Sequence, residues 1–271
     1  MADVPNGDRI TIRQLLNHTS GLGDLAFGSD PDLARPETYA KFQEGCTVDD
    51  VLTPSTPTDD PAQRWGYSNY GYSLLGRVAE LAGHDGLSGL IRLVEPLGLR
   101  RTYLPSSQNG LTDPYTRGYA EPPGQPGTVT YDVTDIGDAS CLWAASGMVS
   151  TLDDLHMWAV ALGTGQLLKP DVWQQAHADP VPLNSRAFPG MRYGLGFMKT
   201  GDFIGHQGNW IGYDSATYYS PSLQTTISVM DNGAVSAEHD SATGLVEQLA
   251  TAAFDRALGF GPVAEADPPN P

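Results

Sequence analysis

Two short motifs in this 271-residue chain hold side chains of the types that carry protons and hold carbonyl oxygens. Tyr67-Ser68-Asn69 sets a phenol and a carboxamide two residues apart. His206-Gln207-Gly208-Asn209 sets an imidazole before a residue with no side chain. One chemistry such groups could serve is acyl transfer, which needs an activated hydroxyl, a proton shuttle and a preorganised oxyanion site. A phenol titrates near 10, so Tyr67 becomes a proton acceptor at neutral pH only beside a cation. The chain has three lysines, Lys41, Lys169 and Lys199, and any catalytic lysine it contains is one of these. Tyr-x-Asn is short enough to arise by chance in any loop, so its surroundings decide what it means.

Those surroundings are ordered. Residues 10–16 read as a short helix with Thr11 as N-cap, stopped in Asn17-His18-Thr19-Ser20-Gly21-Leu22 by the glycine. Residues 47–52 read as a second short helix, capped by Thr47 and closed by Pro54. From Tyr72 to Ala82, Leu74, Leu75, Val78, Leu81 and Ala82 recur on one side, the period of a helix. Tyr67-Ser68-Asn69 therefore falls in a loop just before a buried helix. A further helix is expected over 86–96, ending at Pro96. Residues 105–140 are rich in Gly, Pro, Thr and Asp and read as a long surface segment with short strands near 129–131. Trp143-Ala144-Ala145-Ser146-Gly147 precedes a helix over 153–162 with Thr151 as cap, and 179–190 reads as a loop. From 193 the period drops to two: 193–197, 202–206, 214–219 and 225–230 read as consecutive strands with tight turns. A closing helix over 236–258 and a frayed tail over 261–271 complete the chain. There are no internal repeats and no linker, so residues 1–271 are expected to form one domain. In it, about 8–192 are mainly helix and loop, and about 193–258 are sheet and closing helix.

In this order and spacing, the segments around His18, Tyr67-Ser68-Asn69, Trp143 and His206-Gln207-Gly208 resemble the penicillin-recognising serine hydrolases. These include class C β-lactamases, D-alanyl-D-alanine carboxypeptidases and their esterase relatives. The resemblance runs from about residue 8 to 258. It implies an α/β fold of the β-lactamase/transpeptidase-like kind, an antiparallel sheet flanked by helices and joined to a mainly helical region, with the site between the two. It implies no cofactor and no metal. Tyr67 takes the place of the tyrosine that carries protons beside the nucleophile, and Asn69 that of the amide that bonds the lysine and the substrate. His206 stands where the commoner Lys-Thr-Gly version has lysine, to bind a substrate carboxylate or relay a proton. Gly208 keeps the strand edge clear for substrate, and the Asn209 backbone N–H is placed as one oxyanion donor. Trp143 is placed with the substrate-binding residues. Lys199-Thr200-Gly201 spells Lys-Thr-Gly literally, but it lies just upstream, in a hairpin, and lacks the Gly-aromatic pair that follows the family motif.

The family's first motif, Ser-x-x-Lys, is not in this sequence. The residues three before the lysines are Thr38, Gln166 and Gly196. Only Thr38 has a hydroxyl, and it stands after the Asn17–Leu22 segment, in the wrong order. No Gly-x-Ser-x-Gly elbow replaces it. The expectation is an N-terminally incomplete serine hydrolase, inactive alone; a further reading is complementation by a separate chain bearing Ser-x-x-Lys. Its expected substrates are a D-Ala-D-Ala peptide, a β-lactam or an ester. The alternative is a non-catalytic relative that binds such peptides or β-lactams. Relatives acting on cell-wall peptides work outside the cytoplasm, but no signal peptide is visible here. A net charge of −17 argues against nucleic acid and anionic membranes as partners, since both require a basic surface. No apolar run is long enough to span a bilayer. Cys46 and Cys141 fit no zinc or redox spacing and leave a disulfide and two free thiols both open. His18, His84, His156, His177 and His239 form no metal-ligand pattern and read as surface or capping residues.

Overall fold

A computed structural model describes residues 4–24, 45–53, 59–105, 110–120, 131–135, 139–183, 190–233 and 249. The expected closing helix, apart from Leu249, and the tail lie outside these, as do residues 129–130 of the expected strand.

Helix α1 (Ile12–Leu16) starts where Thr11 accepts the Gln14 N–H, and Gln14 bonds back to the Thr11 N–H in a capping box. Helix α2 (Val48–Val51) repeats the device with Thr47 and Asp50. Helix α3 (Asn69–Gly83) begins three residues earlier than its apolar period suggests. Ser68 is an N-cap whose hydroxyl accepts the Gly71 N–H, so Asn69 is the first helical residue rather than part of a loop. The single helix expected over 86–96 is instead α4 (Leu87–Leu90) followed by 3-10 turns over Ile91–Leu97. Pro96, which has no N–H to give, sits inside the tighter stretch. A two-residue ladder joins β1 (Tyr119–Ala120) to β2 (Tyr131–Asp132). Then come α5 (Trp143–Ser146), α6 (Leu152–Thr164, capped by Thr151) and α7 (Pro170–His177). Helix α7 was not anticipated, although Pro170 at its first turn and Asp171 just after are ordinary start signals.

The main sheet is antiparallel and ordered as the chain runs: β3 (Val181–Pro182), β4 (Arg192–Tyr193), β5 (Met198–Thr200), β6 (Phe203–Trp210), β7 (Tyr213–Ser220) and β8 (Thr225–Asp231). The strand expected over 193–197 breaks at Gly194, where the Phe197 ring folds back so closely that a side chain at 194 would strike it. One face of the sheet buries Leu183, Met191, Tyr193, Met198, Phe203, Ala216 and Tyr218 together; Ile204 packs with Phe197 and Ala176 in a second cluster. Helix α6 packs on β6, β7 and β8. A third cluster, Leu15, Leu22, Tyr70 and Leu74, joins α1 to α3. Cys46 and Cys141 form a disulfide that ties the start of α2 to the segment before α5. No described helix is long and apolar enough to cross a membrane.

Candidate active site

The Tyr67-Ser68-Asn69 turn is held by residues 18–24, some fifty positions earlier in the chain. His18 adopts a left-handed backbone (φ 57°), and its carbonyl accepts the Gly66 N–H at 2.9 Å. Its ring Nδ1 accepts the Ser68 N–H at 3.1 Å. The Gly23 carbonyl accepts the Ser68 hydroxyl at 2.8 Å. Asp24 accepts the Asn69 backbone N–H at 2.7 Å and its side-chain N–H at 3.1 Å. Gly21 (φ 74°) makes the bend possible, because a Cβ there would lie 2.3 Å from the Asp59 carbonyl oxygen.

His18 is no surface residue: it is 1% exposed and forms the centre of an aromatic cluster. Its ring lies 4.3 Å from that of Tyr67 and 4.9 Å from that of Tyr72, both tilted, and meets Tyr193 edge-on at 4.6 Å. Burial, and secondarily the neighbouring His206, pull its pKa down to about 3, so the ring is neutral. Since Nδ1 accepts, the proton is on Nε2, which is buried without a hydrogen-bond partner among the described residues.

His206 faces the same cluster from β6. Its Nδ1 lies 2.5 Å from the Gln207 carbonyl, which can only accept, so Nδ1 carries a proton. Burial lowers its pKa and leaves Nε2 to accept the Tyr193 hydroxyl at 2.8 Å. Both nitrogens are thus engaged, and a substrate carboxylate would have to displace one of these bonds to reach the ring. The Tyr193 phenol is held far above its ordinary range by burial first and its neighbouring phenols second. The Tyr72 hydroxyl donates to the Leu16 carbonyl at 2.8 Å, anchoring α3 to the end of α1.

Tyr67 stays 37% exposed, with its ring centre 6.4 Å from that of His206. Desolvation in the cleft, and then the Asp24 carboxylate, push its pKa up to about 12. Strand β5 covers β6 only as far as Gly205, so the edge of β6 away from β7 has no strand partner from His206 to Asn209 among the described residues. A side chain at Gly208 would meet only the Ser215 hydroxyl, at 2.9 Å. Asn209 is exposed. Gly208 and Asn209 also border a cavity of about 1010 Å³ whose walls include Leu142, Met148, Leu152 and Met230. The Trp143 indole packs against Gly76 of α3. Lys199 lies on β5, beside the Gly201 turn of the hairpin that leads into β6.

The structure therefore brings Tyr67 near His206, with Asn69 two residues on at the start of α3 and an open strand edge running on from His206. Sequence reasoning did not single out Asp24, Tyr72 or Tyr193, and it misread His18. The one local signal for His18 was its place in Asn17-His18-Thr19-Ser20-Gly21, between an expected helix stop and a turn.

Solved structures of similar shape cover most of this chain. A D-stereospecific amidohydrolase from Streptomyces sp. matches with a TM-score of 0.76 and 25% identity, over 89% of this chain and 72% of that one. A D-amino acid amidase from Ochrobactrum anthropi SV3, complexed with L-phenylalanine amide, matches at 0.76 and 22%, over 95% and 75%. A penicillin binding protein from Bacillus halodurans matches at 0.72 and 17%, over 92% and 75%. The β-lactamase family model matches residues 2–251, nearly the whole chain. With its antiparallel sheet, its flanking helices and this match, the chain belongs to the β-lactamase family of serine hydrolase-related proteins.

Proposed function

We propose that this chain supplies the proton-handling and substrate-edge half of a serine acyl hydrolase acting on amide or peptide bonds. A D-Ala-D-Ala carboxypeptidase-like or D-amino-acid amide substrate comes first, a β-lactam or ester second. The observation that carries the reading is the approach of partly exposed Tyr67 to His206, beside clamped Asn69, where the edge of β6 opens from His206 to Asn209. The names of the similar structures, a D-stereospecific amidohydrolase and a D-amino acid amidase, favour an amide substrate with a D-configured residue.

The sequence holds no Ser-x-x-Lys, and the structure is consistent with a site that awaits one. A phenol at about 12 is a poor base at neutral pH. An ammonium placed beside it would stabilise the phenolate and lower that value. The cavity of about 1010 Å³ reaches this site only at Gly208 and Asn209, and Tyr67, Asn69 and His206 are not among its described lining residues. In the completed site the serine attacks the carbonyl, Tyr67 shuttles its proton with the lysine, Asn69 holds the substrate amide, and the Asn209 N–H bonds the developing oxyanion. A second reading, a non-catalytic binder of the same ligands, is favoured by the missing motif alone.

Intact-mass measurement after exposure to a β-lactam tests this. The 271-residue chain alone is expected to gain no mass. Co-expressed with a Ser-x-x-Lys segment from a family member, the complex should gain one β-lactam and hydrolyse D-amino-acid amides. Tyr67→Phe should then slow acylation by about 10²–10⁴-fold. An adduct on the chain alone, or an indifferent Tyr67→Phe, would overturn the assignment. Reversible binding with no adduct in the complemented complex would select the binder.

A further inference from the structure

Four hydrogen bonds run from the Tyr67–Asn69 turn to residues 18–24, and the last two differ from the others in kind. The Asp24 carboxylate takes the backbone N–H of Asn69 at 2.7 Å and the side-chain Nδ2 of the same residue at 3.1 Å. A carboxylate accepts and does not donate, so it fixes which end of the Asn69 amide faces it. The NH₂ turns inward and the carbonyl oxygen turns away. We propose that Asp24 is a positioning residue of this site, locking Asn69 so that its side-chain carbonyl is the acceptor presented to an incoming ammonium or amide N–H. The inference rests on the hydrolase reading above and deepens it.

Three observations support it. First, the clamp is two-point, main chain and side chain of one residue, which fixes the Asn69 side chain relative to the start of α3. Second, Asn69 is the first residue of a fifteen-residue helix, where the exposed N–H groups favour a carboxylate. Third, Asp24 acts on the other motif residue as well, as the second cause, after desolvation, of the raised Tyr67 pKa. Among the described residues, the titratable groups facing Tyr67 are His18 and Asp24 from one side, Tyr193 from β4, His206 from β6 and Tyr72 from α3. Burial lowers the pKa of both histidines, which disfavours their charged forms. One carboxylate thus orients the amide of the motif and, after burial, adds to the rise in the pKa of its phenol.

The test uses the chain as it is and needs no nucleophile. Asp24→Asn, nearly isosteric, removes the charge and one acceptor. The backbone and side-chain N–H resonances of Asn69 should move upfield, as bonds to a carboxylate are lost. The Tyr67 phenol, identified by difference from Tyr67→Phe in an ultraviolet titration, should ionise at lower pH. Resonances far from the turn should stay in place. Unmoved Asn69 resonances and an unmoved Tyr67 titration would overturn the proposal. Should Asp24→Asn fail to fold, acid titration of the unaltered protein decides. The Asn69 amide shifts must follow the Asp24 carboxyl carbon with one common midpoint, and separate midpoints overturn it. These readouts are independent of acylation. A chain that fails to trap a β-lactam on complementation can still show the clamp, and a chain without the clamp can still acylate.

Discussion

Strands β6 and β7 pair across seven consecutive Cα partners and bury Phe203, Ala216 and Tyr218 in one apolar cluster. On the helical side, the described cluster that joins α1 to α3 buries Leu15, Leu22, Tyr70 and Leu74 with Val4, Ile10, Leu52 and Leu75 partly buried against it, and hydrogen bonds add to this packing at the turn before α3. His18, Ser68 and Asn69 are tied by hydrogen bonds, and α2 is tied to the segment before α5 by a disulfide. Buried polar atoms without partners among the described residues lie on both sides, His18 Nε2, Tyr70 Oη and Ser73 Oγ on the helical side and Gln207 Oε1 and Thr226 Oγ1 in the sheet. Such atoms cost stability when left unsatisfied. The sheet side is stabilised by what it buries, and the helical side by burial together with specific links. The proton-carrying residues sit where the two regimes meet, on elements that apolar packing does not fix by itself.

If that contrast is right, cutting the disulfide is the largest single perturbation and acts on one side. Cys46 and Cys141 are separated by 95 positions, a loop whose closure is worth about 4–5 kcal/mol in the chain-entropy picture. Reduction should lower global stability by that order and raise hydrogen exchange first in α2 and around 139–146, leaving β6–β8 protected. Equal loss of protection in β6 and β7 would show that the two sides unfold as one unit. The matching blow to the sheet is Phe203→Ala. Phe203 is 2% exposed within the sheet cluster, so its truncation should cost roughly 3–5 kcal/mol in chemical denaturation. It should perturb the strands before the Tyr67 turn.

The same contrast explains what the sequence made legible. Strands 202–206, 214–219 and 225–230 were readable because alternation is a local signal; the structure starts the first at Phe203 and runs it on to Trp210, adds one residue at each end of the second and one at the end of the third. Thr11, Thr47 and Thr151 were readable as caps because a cap needs only its own next turn. Ser68 was missed as a cap because the apolar period of α3 starts later than its hydrogen bonds do. The roles of His18 and Asp24 were not readable at all. Each acts on a residue about 45 or 50 positions away, and nothing local distinguishes a buried histidine from an exposed one. The pairing of Cys46 with Cys141 is of the same long-range kind. Around the site, the motifs were legible and the residues that aim them were not.

A smaller effect, and one of definite sign, comes from His18. It titrates near 6.5 when unfolded and near 3 in the fold. Between those values the unfolded chain binds a proton that the folded chain does not, so stability falls as pH is lowered through that window. At pH 5 the loss from this one group is about 2 kcal/mol relative to neutral pH. Urea midpoints at pH 7, 6 and 5 should therefore decline, and His18→Phe should flatten the slope even though it is less stable at neutral pH. His177 and His206 are also held below their ordinary values, so part of the slope should persist. An unchanged slope in His18→Phe would mean the imidazole is not kept neutral by the cluster.

The smallest effect separates the two roles of Ser68. Its oxygen accepts the Gly71 N–H at 3.0 Å as a helix cap, and its proton goes to the Gly23 carbonyl at 2.8 Å as a tether. Ser68→Ala should cost about 1 kcal/mol if the cap dominates. Ser68→Gly restores little of the tether but recovers most of an N-cap, since glycine costs only a few tenths of a kcal/mol there. If both variants lose the same amount, the bond to Gly23 carries the stability. The helical side then depends on loop 18–24 at every point of the turn, not only at His18 and Asp24. If Ser68→Gly recovers, α3 starts by its own local chemistry, and loop 18–24 aims the motif without being needed to build the helix.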